Sequence, residues 1–312
     1  MKVLITGAAG FTGTHMIEFL STQENIRIAG LVRKRPAQVS GAHNISWVKG
    51  DILNPDKIVE IISTINPDVV IHLAGLNRGS LKELHKTNVT GTQNILDAIL
   101  MINPDCHVLV ISSSAVYGYA GKTPITENQI LKPLSEYGVS KAAQDTLCQM
   151  YHKTKGCPVV VARPFNLVGP HQPDSFVCGR IVHQVIEIEQ GKRDGLDLFE
   201  IQSCRDFIDV RDVVKAYWML LNHTKFTEDC AGKAFNIGSG KTFAISTVID
   251  LLREITGNEL KLHLPATSPR IAIPSQISDN NRIHRITGWN HQIPLKESLS
   301  DMLDAARKDL QI

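Results

Sequence analysis

Hydrophobic positions in the first half of the chain come as short β-branched runs, separated by stretches where apolar residues recur every three or four positions. The runs predict strands at Val3–Thr6, Ile26–Val32, Ser46–Val48, Val69–Leu73, Val108–Ile111 and Val159–Ala162. Helical patterns lie between them near 12–22, 55–65, 89–102 and 137–155. Alternation of this kind predicts an α/β fold with a parallel sheet covered on both faces and right-handed crossovers.

The pattern changes after Arg163, where Pro164, Pro170 and Pro173 mark a loop. Helical segments follow near 176–190, 211–222 and 246–256, with short strands at Ala234–Ile237 and Leu260–Leu264 and a last helix near 296–308. This predicts a smaller mixed lobe whose segments interleave with the sheet domain. No repeat, low-complexity stretch or long linker interrupts the chain.

Composition narrows the function classes. The 312 residues suit one large domain or a large and a small one, and a net charge of +2 creates no field that calls for nucleic acid or an acidic membrane. Lys2 and the apolar residues after it are too soon broken by Gly7, Gly10 and Gly13 to form a signal peptide. No apolar run reaches membrane-spanning length. The six cysteines form no C-x-x-C pair and read as free, mostly buried thiols of a cytoplasmic protein. The twelve histidines show no zinc-protease spacing, so no metal is expected.

Candidate chemistry begins at Gly7-x-x-Gly10-x-x-Gly13, between the first strand and the first helix. There the backbone must turn tightly and approach a pyrophosphate, with helix N–H groups offered to the anion. The second strand ends Leu31-Val32-Arg33-Lys34-Arg35. An acidic residue about twenty positions after the glycines would hold the ribose 2′-hydroxyl of NAD. Arg33 stands there instead, and a guanidinium suits a 2′-phosphate. The expected cofactor is therefore NADP(H), with NAD(H) the alternative.

Tyr137 and Lys141 fall in Y-G-V-S-K and share a helix face. A lysine ammonium beside the phenol, together with a positive nicotinamide ring, is expected to lower the tyrosine's pKa and make it a general acid or base. Upstream, Ser112-Ser113-Ser114 lies at the C-terminal end of a strand, where ligands collect in such sheets.

These pieces together resemble the extended short-chain dehydrogenases/reductases of the nucleotide-sugar-modifying type. The likeness also takes in Asp51-Ile52, His72-Leu73-Ala74, Asn88-Val89-x-Gly91-Thr92, Arg163-Pro164-Phe165-Asn166, Arg205-Asp206-Phe207 and Thr287-Gly288-Trp289. It implies a doubly wound parallel Rossmann sheet with a smaller, interleaved C-terminal lobe. Residues 1–165, with roughly 206–240, would bind the cofactor; residues 166–205 and 241–312 would bind the nucleotide sugar. Gly7, Gly10, Phe11, Thr12, Gly13, Arg33, Asp51, Ile52, Leu73, Ala74, Asn88, Pro164, Tyr137 and Lys141 would contact the dinucleotide. Ser113, Tyr137 and Lys141 would form the catalytic triad. Ser113, Ser114, Asn166, Arg205 and Arg270 would meet the substrate, the arginines on its diphosphate. Helices near 89–102 and 137–155 resemble those that pair relatives as homodimers through a four-helix bundle.

Within that family, dehydratases carry acidic residues just after the catalytic hydroxyl, where this chain has Ser114 and Ala115. The epimerase-reductases use a cysteine at Ala115, although His171 keeps an echo of them. The segments 205–221 and 135–141 are similar to GDP-6-deoxy-mannose reductases. The resemblance therefore implies NADPH-dependent reduction of GDP-4-keto-6-deoxy-D-mannose to GDP-D-rhamnose. A UDP-hexose 4-epimerase is the alternative, and a non-catalytic nucleotide-binding regulator a further one. Three departures from those reductases bear on the sugar: the acidic residue they usually carry near Ala115 is missing, Gly169-Pro170-His171-Gln172 replaces G-P-G-Q, and the loop Gly75–Gly79 is short.

Overall fold

The computed structural model describes residues 1–34, 45–121, 123–264 and 275–310. Seven strands make the central sheet: β1 (Lys2–Thr6), β2 (Arg27–Val32), β3 (Ile45–Lys49), β4 (Val69–His72), β5 (His107–Ile111), β6 (Val159–Pro164) and β7 (Ala234–Ile237). All pair in parallel, in the order β7-β6-β5-β4-β1-β2-β3. The order reverses between β1 and β4, and such a reversal opens a crevice at the carboxyl ends of the strands.

Strand pleating sorts the core. Val3 and Ile5 of β1 face the helices Phe11–Ser21 and Val210–Leu221, with Met16, Ile17, Val213 and Leu220 opposite them. Leu4 points the other way, toward Pro55–Ile65, Gly91–Ile102 and Glu136–Lys155, which contribute Ile58, Ile62, Ile95, Ile99 and Tyr151. Period-two alternation thus serves two apolar layers at once, so the strands read as continuous hydrophobic runs.

Helix ends follow local chemistry. Asn54 caps Pro55–Ile65 by accepting from Lys57 N at 3.0 Å, with proline in the first turn. Ser135 caps Glu136–Lys155 through Gly138 N at 3.0 Å, and Gly156 ends it in the left-handed region. The helix predicted near 89–102 has a longer lead-in: Leu81–His85 opens on a Ser80–Glu83 capping box and passes through a π turn at Lys86–Thr90.

A buried ion pair ties Glu136–Lys155 to the sheet. Arg163 of β6 donates Nε to Asp145 Oδ2 at 2.7 Å and Nη2 to Oδ1 at 3.1 Å. Its Nη1 donates to the Tyr117 hydroxyl at 2.8 Å, which donates to Asn236 of β7 at 2.6 Å. Paired charges at this depth hold geometry more than they add stability.

The second half forms its own core from Ile181, Val185, Leu196, Ile249, Leu252, Leu299 and Leu303. The helices Val177–Glu189, Ile245–Thr256 and Leu295–Asp309 carry most of it. Pairings between distant segments knit it together. Asn166–Val168 runs parallel to Phe207–Asp209, and Cys204–Arg205 lies between Phe243–Ala244 and Ser275–Gln276. Asp206 is fully buried and accepts from the backbone and hydroxyl of both Ser239 and Ser278, and from Gly240 N. The predicted strand Leu260–Leu264 is the short pair Leu262–His263 with Leu196–Asp197. A helix at Asn281–Thr287 was not expected from the sequence pattern.

Among the described residues all six cysteines are free thiols, and all but Cys204 are buried. No described helix is long and apolar enough to cross a membrane.

Candidate active site

Thr6, Val32, His72, Ile111 and Pro164 end five neighbouring strands along one edge of the sheet. Two cavities open there and share Gly7, Gly10, Leu73, Gly75 and Leu76, so they form one groove over the glycine loop. The outer half, about 720 Å³, is lined by Arg33, Lys34, Asp51, Ile52, Leu73 and Ala74. The inner half, about 600 Å³, holds Phe11, Thr12, Gly13, Ser113, Ser114, Tyr137, Lys141, Pro164 and Asn166.

The glycine loop is fixed by contact. Gly7 has φ +68°, and a Cβ there would stand 2.7 Å from Ala74 N. Its carbonyl accepts from Gly10 N at 2.9 Å. Gly10 then begins Phe11–Ser21, a helix that no side chain caps. Its first N–H groups therefore face the groove without a protein acceptor from a side chain, as a pyrophosphate site requires. Arg33 and Lys34 are exposed at the outer end. The Asp51 carboxylate accepts from Leu53 N at 2.9 Å and closes a turn of its own. These features fit a dinucleotide.

At the inner end, Glu136–Lys155 presents Tyr137 and Lys141 beside the Ser113–Ala115 turn. The approach is close: a Cβ on Gly138 would stand 2.7 Å from the Ala115 carbonyl. The Lys141 ammonium donates to Ile111 O at 2.7 Å and to Gln144 Oε1 at 2.9 Å, and lies 6.0 Å from the Tyr137 ring centre. Burial pulls the lysine down from its usual value to about 8.

The tyrosine departs from the sequence expectation. Burial raises the Tyr137 phenol above its ordinary pKa, and the hydrogen bond with Ser113 only partly offsets this. The ammonium's bonds point to Ile111 and Gln144, not to the phenol. In the protein alone the phenol is accordingly a neutral proton donor.

Other predicted residues take distinct places. Asn88 is fully buried and lines neither cavity. Its amide accepts from Leu76 N at 2.8 Å and donates to Leu76 O and Ser140 Oγ, so it braces the loop behind the groove. Asn166 reaches the inner cavity while donating to Asp206 O at 3.2 Å. Arg205 is half-buried outside the cavity lining, with Nη1 donating to Cys204 O at 2.9 Å. It stands in register with Gln276, which does line the cavity. Burial lowers the Arg205 pKa. Arg270 lies outside the described residues.

Sequence reasoning missed Gln276, which lines the inner cavity and whose amide donates to Gly118 O at 2.9 Å. It also missed Arg78, which donates to Ser175 O at 2.5 Å and ties the Gly75–Gly79 loop to a second segment of the cavity lining. Gln276 gave no local signal, because a strand pairing brings it there. Gln144, on the buried face of Glu136–Lys155 three residues after Lys141, was legible as a polar residue at an apolar position.

The described lining of the inner cavity is poor in acids and bases. Among its described lining residues the titratable side chains are Tyr137, Lys141 and Cys178. Burial pushes the Cys178 thiol up to about 12, which leaves it inert. Among the described residues no cluster of His, Cys, Asp or Glu could hold a metal ion.

The chain matches the family model described as GDP-mannose 4,6 dehydratase over residues 4–302. It is 33% identical to GDP-6-deoxy-D-mannose reductase of Pseudomonas aeruginosa, over 97% of this chain and 96% of that one. The structure of RMD from Pseudomonas aeruginosa complexed with NADPH superposes with a TM-score of 0.86, at 32% identity over 99% of each chain. UDP-glucuronic acid 4-epimerase from Bacillus cereus, in complex with UDP-glucuronic acid and NAD, superposes with a TM-score of 0.87, at 26% identity over 99% of each chain. With the seven-stranded parallel sheet and the glycine loop, these matches establish that the chain belongs to the GDP-mannose 4,6 dehydratase family of extended short-chain dehydrogenases/reductases and is an NAD(P)-dependent oxidoreductase.

Proposed function

We propose that this protein reduces the C4 keto group of a nucleotide-activated 4-keto-6-deoxy hexose with NADPH, and that its substrate is GDP-4-keto-6-deoxy-D-mannose, giving GDP-D-rhamnose. The observation that carries this reading is the short list of titratable groups among the inner cavity's described lining residues. Dehydration needs a base for C5 and an acid for C6, and 3,5-epimerisation needs a base at two carbons. Tyr137 supplies one proton transfer, which is what a change at C4 requires.

Reduced nicotinamide, when bound, would supply the hydride to C4. Ser113 would donate a hydrogen bond to the keto oxygen, while Tyr137, kept protonated by burial, would give that oxygen its proton. Lys141 would stabilise the phenolate left behind with the N–H not used by Ile111 and Gln144. Asn166, Ser114, Arg205 and Arg270 would hold the rest of the nucleotide sugar. On the cofactor side Gly7, Gly10, Gly13, Phe11 and Thr12 would take the pyrophosphate, and Arg33 with Lys34 the 2′-phosphate. The first 165 residues with roughly 206–240 would form the cofactor domain, and 166–205 with 241–312 the sugar lobe.

A single acid–base group at C4 also suits a 4-epimerase, which returns the hydride to the opposite face. The likeness to an NAD-bound 4-epimerase supports that second reading. Arg33 and Lys34 at the outer end favour NADPH and hence net reduction. NMR of the product separates them: a C4 alcohol formed with loss of NADPH supports the reductase, and interconversion of two C4 alcohols without loss refutes it.

The helices Gly91–Ile102 and Glu136–Lys155 expose Met101, Val139 and Met150. We propose that two copies pair there as a four-helix bundle. The free cysteines support a reducing, cytoplasmic setting.

A further inference from the structure

We propose that Gln144 is a positioning residue for Lys141, and that Thr92, His72 and Thr6 behind it lock its orientation and tie the ammonium to the root of the glycine loop. The inference rests on the Tyr–Lys reading above and adds to it a group that never meets substrate.

The geometry starts at the ammonium, which has three N–H groups. Ile111 O takes one and Gln144 Oε1 takes another. Two fixed acceptors stop the rotor, so the third N–H has a set direction. Lys141 lines the inner cavity with Tyr137 and Ser113, and that is where the third donor is available.

Gln144 is held in turn. Its Nε2 donates to Thr92 Oγ1 at 2.7 Å. The reverse amide orientation would set an NH2 group against an ammonium. The Thr92 hydroxyl spends its proton on Asn88 O at 2.7 Å, so its oxygen can only accept from its other neighbours. His72 Nε2 lies 2.9 Å from that oxygen and must therefore carry a hydrogen. His72 Nδ1 is then bare and accepts from Thr6 Oγ1 at 2.7 Å. Thr6 Oγ1 accepts from Ala74 N at 3.1 Å. Thr6 directly precedes Gly7, and Ala74 is the residue against which Gly7 packs. Each link has one allowed polarity.

Burial makes the chain consequential. Thr6, Thr92 and Gln144 are fully buried, and His72 and Lys141 are 1% and 6% exposed. A broken link would leave a donor or acceptor unmade in a dry interior. The other titratable groups facing Lys141 do not replace Gln144. Tyr137 and Cys148 share its helix, and burial raises both above their usual values, so both stay neutral. Asp145 is occupied by Arg163 of β6. His72 of β4 is held neutral by burial and by the charge of Lys141.

The test reads the Lys141 titration by NMR of protein labelled at the lysine ε-carbon, the signal assigned with a Lys141→Met variant. The unaltered protein should titrate near 8. Gln144→Met removes an acceptor and should move the midpoint to lower pH by about one pH unit, as loss of a hydrogen bond to a charged group implies. Gln144→Glu puts a carboxylate in its place and should move it to higher pH. A midpoint unmoved in both variants would overturn the proposal, even if both lose stability. Should neither variant fold, the imidazole nitrogen shifts of His72 in the unaltered protein decide. The Nε2–H tautomer is expected at neutral pH, and the Nδ1–H form would overturn the chain. Neither readout needs a sugar substrate, so failure here and failure of the reductase reading are separate results.

Discussion

The carbonyl of Ile111, the last residue of β5, accepts a 2.7 Å hydrogen bond from Lys141 on the Glu136–Lys155 helix. A sheet strand thereby aims the side chain that a helix delivers. The ammonium is buried to be useful, and that burial has a thermodynamic sign. Its pKa falls from 10.5 to about 8. Between those values the unfolded chain binds a proton that the folded chain does not, so stability rises as pH rises through this window and is lost again below it. At pH 7 the cost is about 3 kcal/mol. Lys141→Met should therefore abolish turnover and, whatever its stability at pH 7, lose the rise in urea midpoint that the unaltered protein shows between pH 8 and pH 10.5. A variant that keeps the full rise would refute this assignment.

Tyr137→Phe should cost roughly a hundred- to ten-thousandfold in kcat, the usual range for a lost general acid. Cofactor affinity should stay nearly unchanged. Intrinsic fluorescence titration with NADPH and turnover on the same sample check both halves. Full activity in the variant would remove Tyr137 from the mechanism.

His72 lies under the groove with its pKa lowered to about 3 by burial and by Lys141. An unfolded histidine protonates near 6.5, so falling pH favours the unfolded chain from there downward. Stability should drop by about 2–3 kcal/mol between pH 6.5 and pH 4.5 from this group. Urea unfolding of the protein and of His72→Asn at both pH values tests it. The variant should be weaker at pH 6.5 but show a shallower acid loss.

Asp145 and Arg163 form the buried pair that anchors the helix carrying Tyr137 and Lys141. Asp145→Ala would strand the guanidinium, and such losses cost about 3–5 kcal/mol. Thermal unfolding should show it as a large fall in Tm. A change within error would mean that the pair relaxes freely.

Much of this was legible in the chain. The run Val3–Thr6, the spaced glycines and the helix after them marked a nucleotide groove, because a tight turn and an anion demand those residues. Tyr137 and Lys141 were legible because i and i+4 share a helix face. Other features depend on contacts between distant segments. Nothing near Gln276 announces that a strand pairing with Cys204–Arg205 will seat it in the cavity. Asn88 belongs to a family motif, but that it braces Leu76 depends on a contact twelve residues away that the motif does not announce. The helix Asn281–Thr287 spans two turns, too short for a periodic signal. Tyr137's raised pKa was missed because pairwise charge was weighed and depth was not.

Arg33 is exposed at the outer end of the groove. Arg33→Asp should weaken NADPH by about 1.5–3 kcal/mol, the value of a hydrogen bond to a charged group, and leave NADH unaffected or improved. Parallel fluorescence titrations read the ratio. An unchanged preference would place the 2′-phosphate elsewhere.

The central claim is tested most directly by following NADPH oxidation with GDP-4-keto-6-deoxy-D-mannose generated in situ by a dehydratase. The matching UDP- and dTDP-keto sugars and NADH serve as parallel arms. Rapid oxidation of NADPH with the GDP sugar, and slow or no oxidation in the other arms, is the predicted result. No oxidation with any keto sugar, on a protein that purifies with NAD tightly held, would contradict it and assign the groove to a 4-epimerase.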